Sequence, residues 1–316
     1  MKNELNYSTN VKDTILAAAG YARDSEMNNA DSPGFKERVG TIGRGVSVEY
    51  MARLDFDLAN QQLFLINNVD VNFTITKTDD DFMVHTLKSG DTNTYRIRAL
   101  NVRLYMVAVD VQPSLNLAIA QQLEKQPAKY TIRQTAIRSH YISAGRTEFV
   151  HNMFTNIIPR CAIVGFVEGR AHDGDPTLDP FNFQPHKIRE ITINAAGQNY
   201  PSVAYNFNWD DEKAPVNFVR GYVDMMNASM TQHNLTNGIT MYQYKNGWTF
   251  FGIPLTPTLD DCGGVEPVRN GTTTVHVKFN EKLEKGVNII FLGEFDQILT
   301  VDSSRMIVSD TSMITL

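Results

Sequence analysis

The feature that most constrains this chain is an alternation of apolar and polar residues with a period of two. Thr273-Thr274-Val275-His276-Val277-Lys278-Phe279 is its cleanest instance. Successive side chains of a strand point to opposite faces, so this pattern describes a strand with one buried and one wet face. Val46, Val48 and Tyr50 alternate with Ser47 and Glu49 in the same way. Val69, Val71, Phe73 and Ile75 alternate with Asp70, Asn72, Thr74 and Thr76. Tyr95 to Val111 reads as a long strand, with a phase change near Leu100-Asn101 that marks a bulge. Further strands are expected over Tyr130 to Ile142, Cys161 to Val167, Ile188 to Ile193, Trp248 to Leu255, Thr272 to Phe279 and Val287 to Val301.

Helical spacing is rarer. Val11, Ile15, Ala18, Ala19 and Ala22 predict a helix from Val11 to Arg23, with Asn10 as its N-cap. Pro113 opens a second, striped by Leu115, Ala118, Ile119 and Leu123 and ended by Pro127. Asn217 to Met230 forms a third, with Phe218, Tyr222, Met225 and Met226 on one side and the Met225-Met226 pair as core. Asp24 to Gly45 reads as a polar, glycine-bearing loop, either a surface excursion or an assembly element. Strands outnumber helices and loops are long. The expected class is therefore all-β, a sandwich or jelly roll with a few short helices in its loops, and not a βαβ fold.

Size and charge narrow the function. A chain of 316 residues supplies one large β domain or two of ordinary size. With 42% hydrophobic and 20% charged residues it has the composition of a packed protein. The formal charge is -6 and the 29 basic residues are dispersed. Phosphate binding needs a concentrated basic face, so direct sequence-specific nucleic-acid recognition is not expected. Cys161 and Cys262 are the two cysteines, too few for a disulfide framework and not spaced as a metal pair. No apolar run reaches the length of a membrane span, and Met1 to Asn6 has no signal-peptide core. The expectation is a protein made in the cytosol, with Asn72-Phe73-Thr74 and Asn270-Gly271-Thr272 unused as glycosylation triplets.

An enzyme needs a constellation of reactive groups. Asp173-Gly174-Asp175 with Asp179 resembles part of a calcium loop but lacks its other oxygen ligands and terminal glutamate; a surface turn of Asp, Gly and Pro accounts for it. His140 and His151 are too far apart in sequence for an i, i+4 metal pair, and His172, His186 and His276 fall in separate segments. Gly40-Thr41-Ile42-Gly43-Arg44-Gly45 lacks the Gly-Lys-Ser/Thr ending of a phosphate loop and reads as a turn. Cys161, followed by Ala162-Ile163-Val164, reads as a buried strand residue and not a nucleophile. Neither Gly-x-Ser-x-Gly nor His-Glu-x-x-His occurs. No catalytic, cofactor-binding or metal residue is nominated, no cofactor is expected, and the reading is a non-enzymatic structural protein. Two aromatic clusters, Phe181 with Phe183 and Tyr205 with Phe207 and Trp209, either line a sugar or partner site or plug the end of a sandwich core.

Several blocks resemble one family. Gln122-Leu123-Glu124-Lys125 running into Pro127 to Arg133 is similar to a signature of the capsid proteins of Maverick/Polinton elements and adintovirus-like DNA viruses. Five more blocks agree in order: Pro159 to Val167, Asp179 to Gln184, Gly197 to Pro201, Tyr244 to Thr249 leading into Leu255-Thr256-Pro257, and Glu294-Phe295-Asp296 through Leu299 to Asp302. The stretch from Ala52 to Asp57 and on to Val71 also looks like the family. The resemblance runs nearly end to end. It implies a major capsid protein of the double jelly-roll lineage, assembling as homotrimeric, hexon-like capsomers that meet neighbouring capsomers and penton or minor capsid proteins. It implies no catalytic residue and no cofactor. The implied location is the virion, with synthesis in the host cytoplasm and assembly there or in the nucleus. One departure bears on the domains. Compared family members carry a longer N-terminal region with the early strands of the first barrel, so residues 1–91 are expected to supply only later strands of an incomplete first jelly roll. Residues 92–316 then form the second. Such a half barrel exposes strand edges.

Two other readings stand beside this one. The first is a host protein domesticated from such an element. The second is a carbohydrate-binding β-sandwich that uses Tyr205, Phe207 and Trp209 as a stacking platform.

Overall fold

The computed structural model describes residues 1–43, 45–60, 63–88, 90–91, 93–210, 216–229, 236–256 and 269–309. Arg44, Met230, Pro257 and Cys262, which figured in the sequence readings, lie outside the described residues. Helices come first in the chain: α1 (Lys2–Asn6), α2 (Thr9–Lys12), α3 (Pro33–Ile42), α4 (Asp80–Met83) and α5 (Pro113–Lys125). The strands follow as β1 (Ala128–Ile142), β2 (Glu148–Phe154), β3 (Cys161–Glu168), β4 (Ile188–Ala195), β5 (Gln198–Tyr200), β6 (Phe250–Pro254), β7 (Thr273–Phe279), β8 (Val287–Val301) and β9 (Ile307–Ser309). Helices α6 (Gly169–His172), α7 (Val219–Ala228) and α8 (Met241–Lys245) lie between strands.

Two antiparallel sheets form. The first runs in the order β1-β8-β3-β6, with β9 added to β8, and the second runs β2-β7-β4-β5. Sequence neighbours β1 and β2, and again β3 and β4, fall in opposite sheets. Eight strands wound this way into two four-stranded layers are a jelly roll. The longest pairing joins β1 to β8 over fifteen residues, from Ala128 opposite Val301 to Ile142 opposite Val287.

The two sheets differ in sequence because they differ in what covers them. Strand β7 alternates as read: Thr273, Val275, Val277 and Phe279 are buried, while Thr274, His276 and Lys278 face outward. The wet face of its sheet carries polar pairs, Lys278 with Glu190 at 3.2 Å and Thr274 with Asn152 at 2.7 Å. Strand β3 is buried on both faces from Cys161 to Val167, which is why its sequence is a continuous apolar run. Its inner face meets the other sheet; its outer face lies under Met1, Phe183 and α7. A Cβ on Gly165 would meet Phe183 and Met1, and Cys161 Sγ lies 4.0 Å from the Ala228 carbonyl. Helix α7 sits directly on β6, since a Cβ on Gly252 would lie 2.5 Å from Ala228 Cβ. Each large apolar side chain fully buried in this core stabilises the fold by about 1.5–3 kcal/mol.

Several sequence expectations need correction. The stretches 46–50, 69–75 and 95–111 form no strands, because a strand requires a hydrogen-bonded neighbour and none is supplied among the described residues. The helix expected over Val11 to Arg23 is reduced to α2 and a 3-10 turn at Ala17–Ala19. After Lys12 the backbone leaves the α-helical pattern, Leu16 N donating five residues back to Val11 O, while the Lys12 side chain turns inward. Conversely, α3 forms inside the segment read as a loop. Strands β2, β5 and β9 were not foreseen. Helices α5 and α7 occupy the second and third expected positions.

Candidate assembly surface

The residues weighed for chemistry are dispersed or internally satisfied. Asp175 accepts from Thr177 N at 2.9 Å and pairs with Arg170, whereas Asp179 accepts from Phe181 N at 2.8 Å. Asp173 pairs with His172 at 3.2 Å, so these carboxylates do not converge on one point. Among the described residues no group of three or more His, Cys, Asp or Glu side chains is placed to hold a metal ion. Cys161 is buried, which pushes its thiol up to about 12, far from a reactive thiolate.

The aromatic clusters are core except for Phe181, which is 48% exposed. Phe183 packs on Phe250 with centroids 4.8 Å apart. Tyr205 stacks on Phe207 at 4.6 Å, and Trp209 stacks on Phe218 at 5.2 Å with planes 5° apart. Trp209 is 8% exposed and its Nε1 donates to the Ile188 carbonyl at 2.7 Å. Tyr205 donates to Asp224 at 2.6 Å, and with burial this raises its phenol. A ring held this way cannot offer its face to a sugar, so the stacking-platform reading loses its geometry. Met225 is buried, as expected.

What the fold offers instead is surface. Strands β1 and β2 are edges, each paired on one side only among the described residues. The first part of β1 is partly capped, with Tyr130 donating to the Phe64 carbonyl and accepting from Ile66 N. Further along, Ile137 and Tyr141 are exposed. Leu100, Tyr105, Met106 and Val107 are more exposed still, and Leu115 and Leu117 of α5 are exposed as well. Exposed apolar residues in such numbers are candidates for an association surface. The segment from Asp24 to Gly45 meets the loop from Ala171 to Pro180, where Asn28 Oδ1 accepts from Asp179 N at 2.6 Å.

Charged groups absent from the sequence reading pin the N-terminal segment down. Lys12 is 1% exposed and donates to Glu4 at 2.9 Å and to the Asn237 carbonyl at 2.8 Å. Burial lowers its ammonium pKa, and Glu4 opposes that. On the outer face of the first sheet, Arg160 reaches Glu294 at 3.5 Å and Asp296 at 3.8 Å, with Arg133 3.6 Å from Asp296. Burial raises the Glu294 carboxyl pKa and Arg160 opposes it. Lys2 donates to Thr135 beside this cluster. Only the pairing of β1, β3 and β8 brings these residues together, and no local spacing announces it.

No protein-family model matches the chain. A Caenorhabditis elegans protein, F54H12.2, itself uncharacterised, is 28% identical over 316 residues, covering 98% of this chain and 73% of its own. Among solved structures, a chain of the PBCV-1 virus capsid is similar with a TM-score of 0.38 at 10% identity, over 63% of this chain and 54% of that one. The Sputnik virophage structure gives 0.36 at 10% identity, over 60% and 40%. The mavirus major capsid protein gives 0.31 at 10% identity, over 60% and 42%. The chain thus spans about half the length of the PBCV-1 protein and less of the other two. These scores are too low to carry an argument, so the jelly-roll assignment rests on strand order.

Proposed function

We propose that this chain is a major capsid protein of the double jelly-roll lineage, of the kind found in Maverick/Polinton elements and adintovirus-like viruses. In this reading residues 92–316 belong to the second jelly roll and residues 1–91 to the first. The observation that carries it is the eight-strand jelly roll from Ala128 to Val301, preceded by alternating, apolar sequence left at the surface. A sandwich alone implies no function. The six sequence blocks similar to the capsid family supply the rest; two of them fall on β3 and β8, strands buried by the fold. The chain then acts as a homotrimeric, hexon-like capsomer in a virion, meeting neighbouring capsomers and penton or minor capsid proteins, with no enzymatic step. Ring closure needs different patches to meet one another, and the β1 flank and the Leu100 to Val107 surface are two such patches.

Light scattering of the purified chain across a concentration range tests this. The expected result is a stable mass of three times 35.6 kDa, or larger closed particles. A persistent monomer overturns a self-sufficient capsomer. A second reading, a host protein domesticated from such an element, is favoured by the nematode relative that covers 98% of this chain. Particles under the electron microscope would favour the first reading; host expression without particles would favour the second.

A further inference from the structure

Strands β1 and β2 are consecutive in sequence but lie in opposite sheets, each at an edge, joined by the turn at 143–147. With no ladder between them, the two sheets meet at this flank through side chains. His140 of β1 and His151 of β2 stack there, ring centroids 4.0 Å apart and planes 26° apart. Phe149 lies 5.4 Å from His140 and 5.9 Å from His151. A cavity of about 230 Å³, lined by both histidines with Ser143, Arg146 and Glu148, opens beside the stack. A second, of about 410 Å³, lies beyond His140 and is lined by Tyr141, His172 and Asp173. Water therefore reaches the rings.

We propose that the His140–His151 stack is an acid-sensitive clasp between the two sheets, closed when both rings are neutral and opened when both are protonated. Two neutral imidazoles stack through their flat faces; two imidazolium ions at the same spacing repel. The surrounding charges do little to relieve that repulsion. On β1, Arg138 lies over the Phe154 ring at 5.8 Å and adds positive charge. The turn contributes Arg146. The Glu148 carboxylate of β2 is engaged by His276 of β7 at 2.5 Å, and Lys278 of β7 pairs with Glu190. From α6, His172 and Asp173 pair with each other. The turn at 281–286 is hydrogen-bonded to the β1–β2 turn through Gly145 and Arg146. It carries Glu281, paired with Lys187, Lys285, paired with Glu168, and also Lys282 and Glu284.

Burial first, and His140 second, hold the His151 imidazole below its ordinary value. The sign follows from linkage. The unfolded chain takes up the proton first as pH falls through about 6.5, so the fold keeps this stability above that pH and loses it below. The clasp concerns the sandwich itself and does not depend on the capsid reading.

Thermal unfolding of the full chain at pH 7.5 and 5.5, for the natural sequence, His140→Gln and His151→Gln, tests the clasp beside an NMR titration of the imidazoles. The natural chain is expected to lose more on acidification than either variant, by about tenfold in the unfolding constant per unit of pKa depression. His151 is expected to titrate at higher pH once His140 is gone. His186, also held down by burial, is common to all three proteins and cancels in the difference. If His140→Gln does not fold, His140→Phe keeps the ring contact without the charge. Equal acid losses in all the proteins that fold, or an unchanged His151 titration, overturns the proposal.

Discussion

Val277 and Val107 lie in segments of similar strand-like character, yet one is 0% exposed and the other 83%. The region from Ala128 to Ser309 holds every strand among the described residues, whereas the region before it holds short helices and unpaired backbone. Strand β7 has β2 on one side and β4 on the other, so its alternating face is sealed against the opposite sheet. Residues 95–111 have no such neighbours. Alternation makes a strand competent; a paired backbone and a covering layer make it one. The contrast separates a packed sandwich from a segment whose apolar side chains stay exposed.

Five substitutions bear on that contrast, in descending order of effect. Phe291→Ala removes a fully buried ring of β8 that packs edge-on against Phe154 at 5.7 Å. It should cost about 3–5 kcal/mol in urea unfolding. A loss below about 1 kcal/mol would mean that the sandwich is not the packed region. Tyr205→Phe breaks the 2.6 Å bond to Asp224 and should cost about 2 kcal/mol, the range for a bond to a charged group.

Acid should weaken the sandwich through His186, whose imidazole burial pushes down to about 4. The folded value lies below the unfolded one, so stability is full above about pH 6.5 and falls as pH drops towards 4. His186→Gln should flatten that part of the stability-against-pH curve; an unchanged curve refutes the assignment. The smallest effect on stability belongs to the other region. Leu100→Ser and Val107→Ser should stay within about 0.5 kcal/mol, because neither side chain is packed. The same substitutions should lower the mass seen by light scattering if that surface is an assembly contact, and a full-sized assembly would remove it from the interface.

Much of the sandwich was legible beforehand. Six of its strands fall on the expected segments, since β-branched and aromatic residues at period two, or in short apolar runs, carry a local signal. Strand β2 escaped because Glu148-Phe149-Val150-His151-Asn152 places polar residues on both faces, and β5 because three residues are too short to show a period. Helix α3 was hidden by its two glycines and by the turn residues before it. The aromatic clusters were read with both outcomes open, and burial decided for the core at Phe183, Tyr205, Phe207 and Trp209, while Phe181 stays exposed. The histidine stack was invisible because ten residues of chain, running from one sheet to the other, separate its members.

The sequence by itself determined which stretches were competent to be strands, which faces were apolar, and that Cys161 sits in a buried run. Those are properties of neighbours along the chain, where side-chain direction follows from backbone geometry. Tertiary structure alone decided which competent stretches found partners. It placed Trp209 and Tyr205 inside, drew Lys12 beneath the surface, and set Arg160 against Glu294. Pairing and burial depend on residues far apart in sequence, and their free energy is realised only when the layers close.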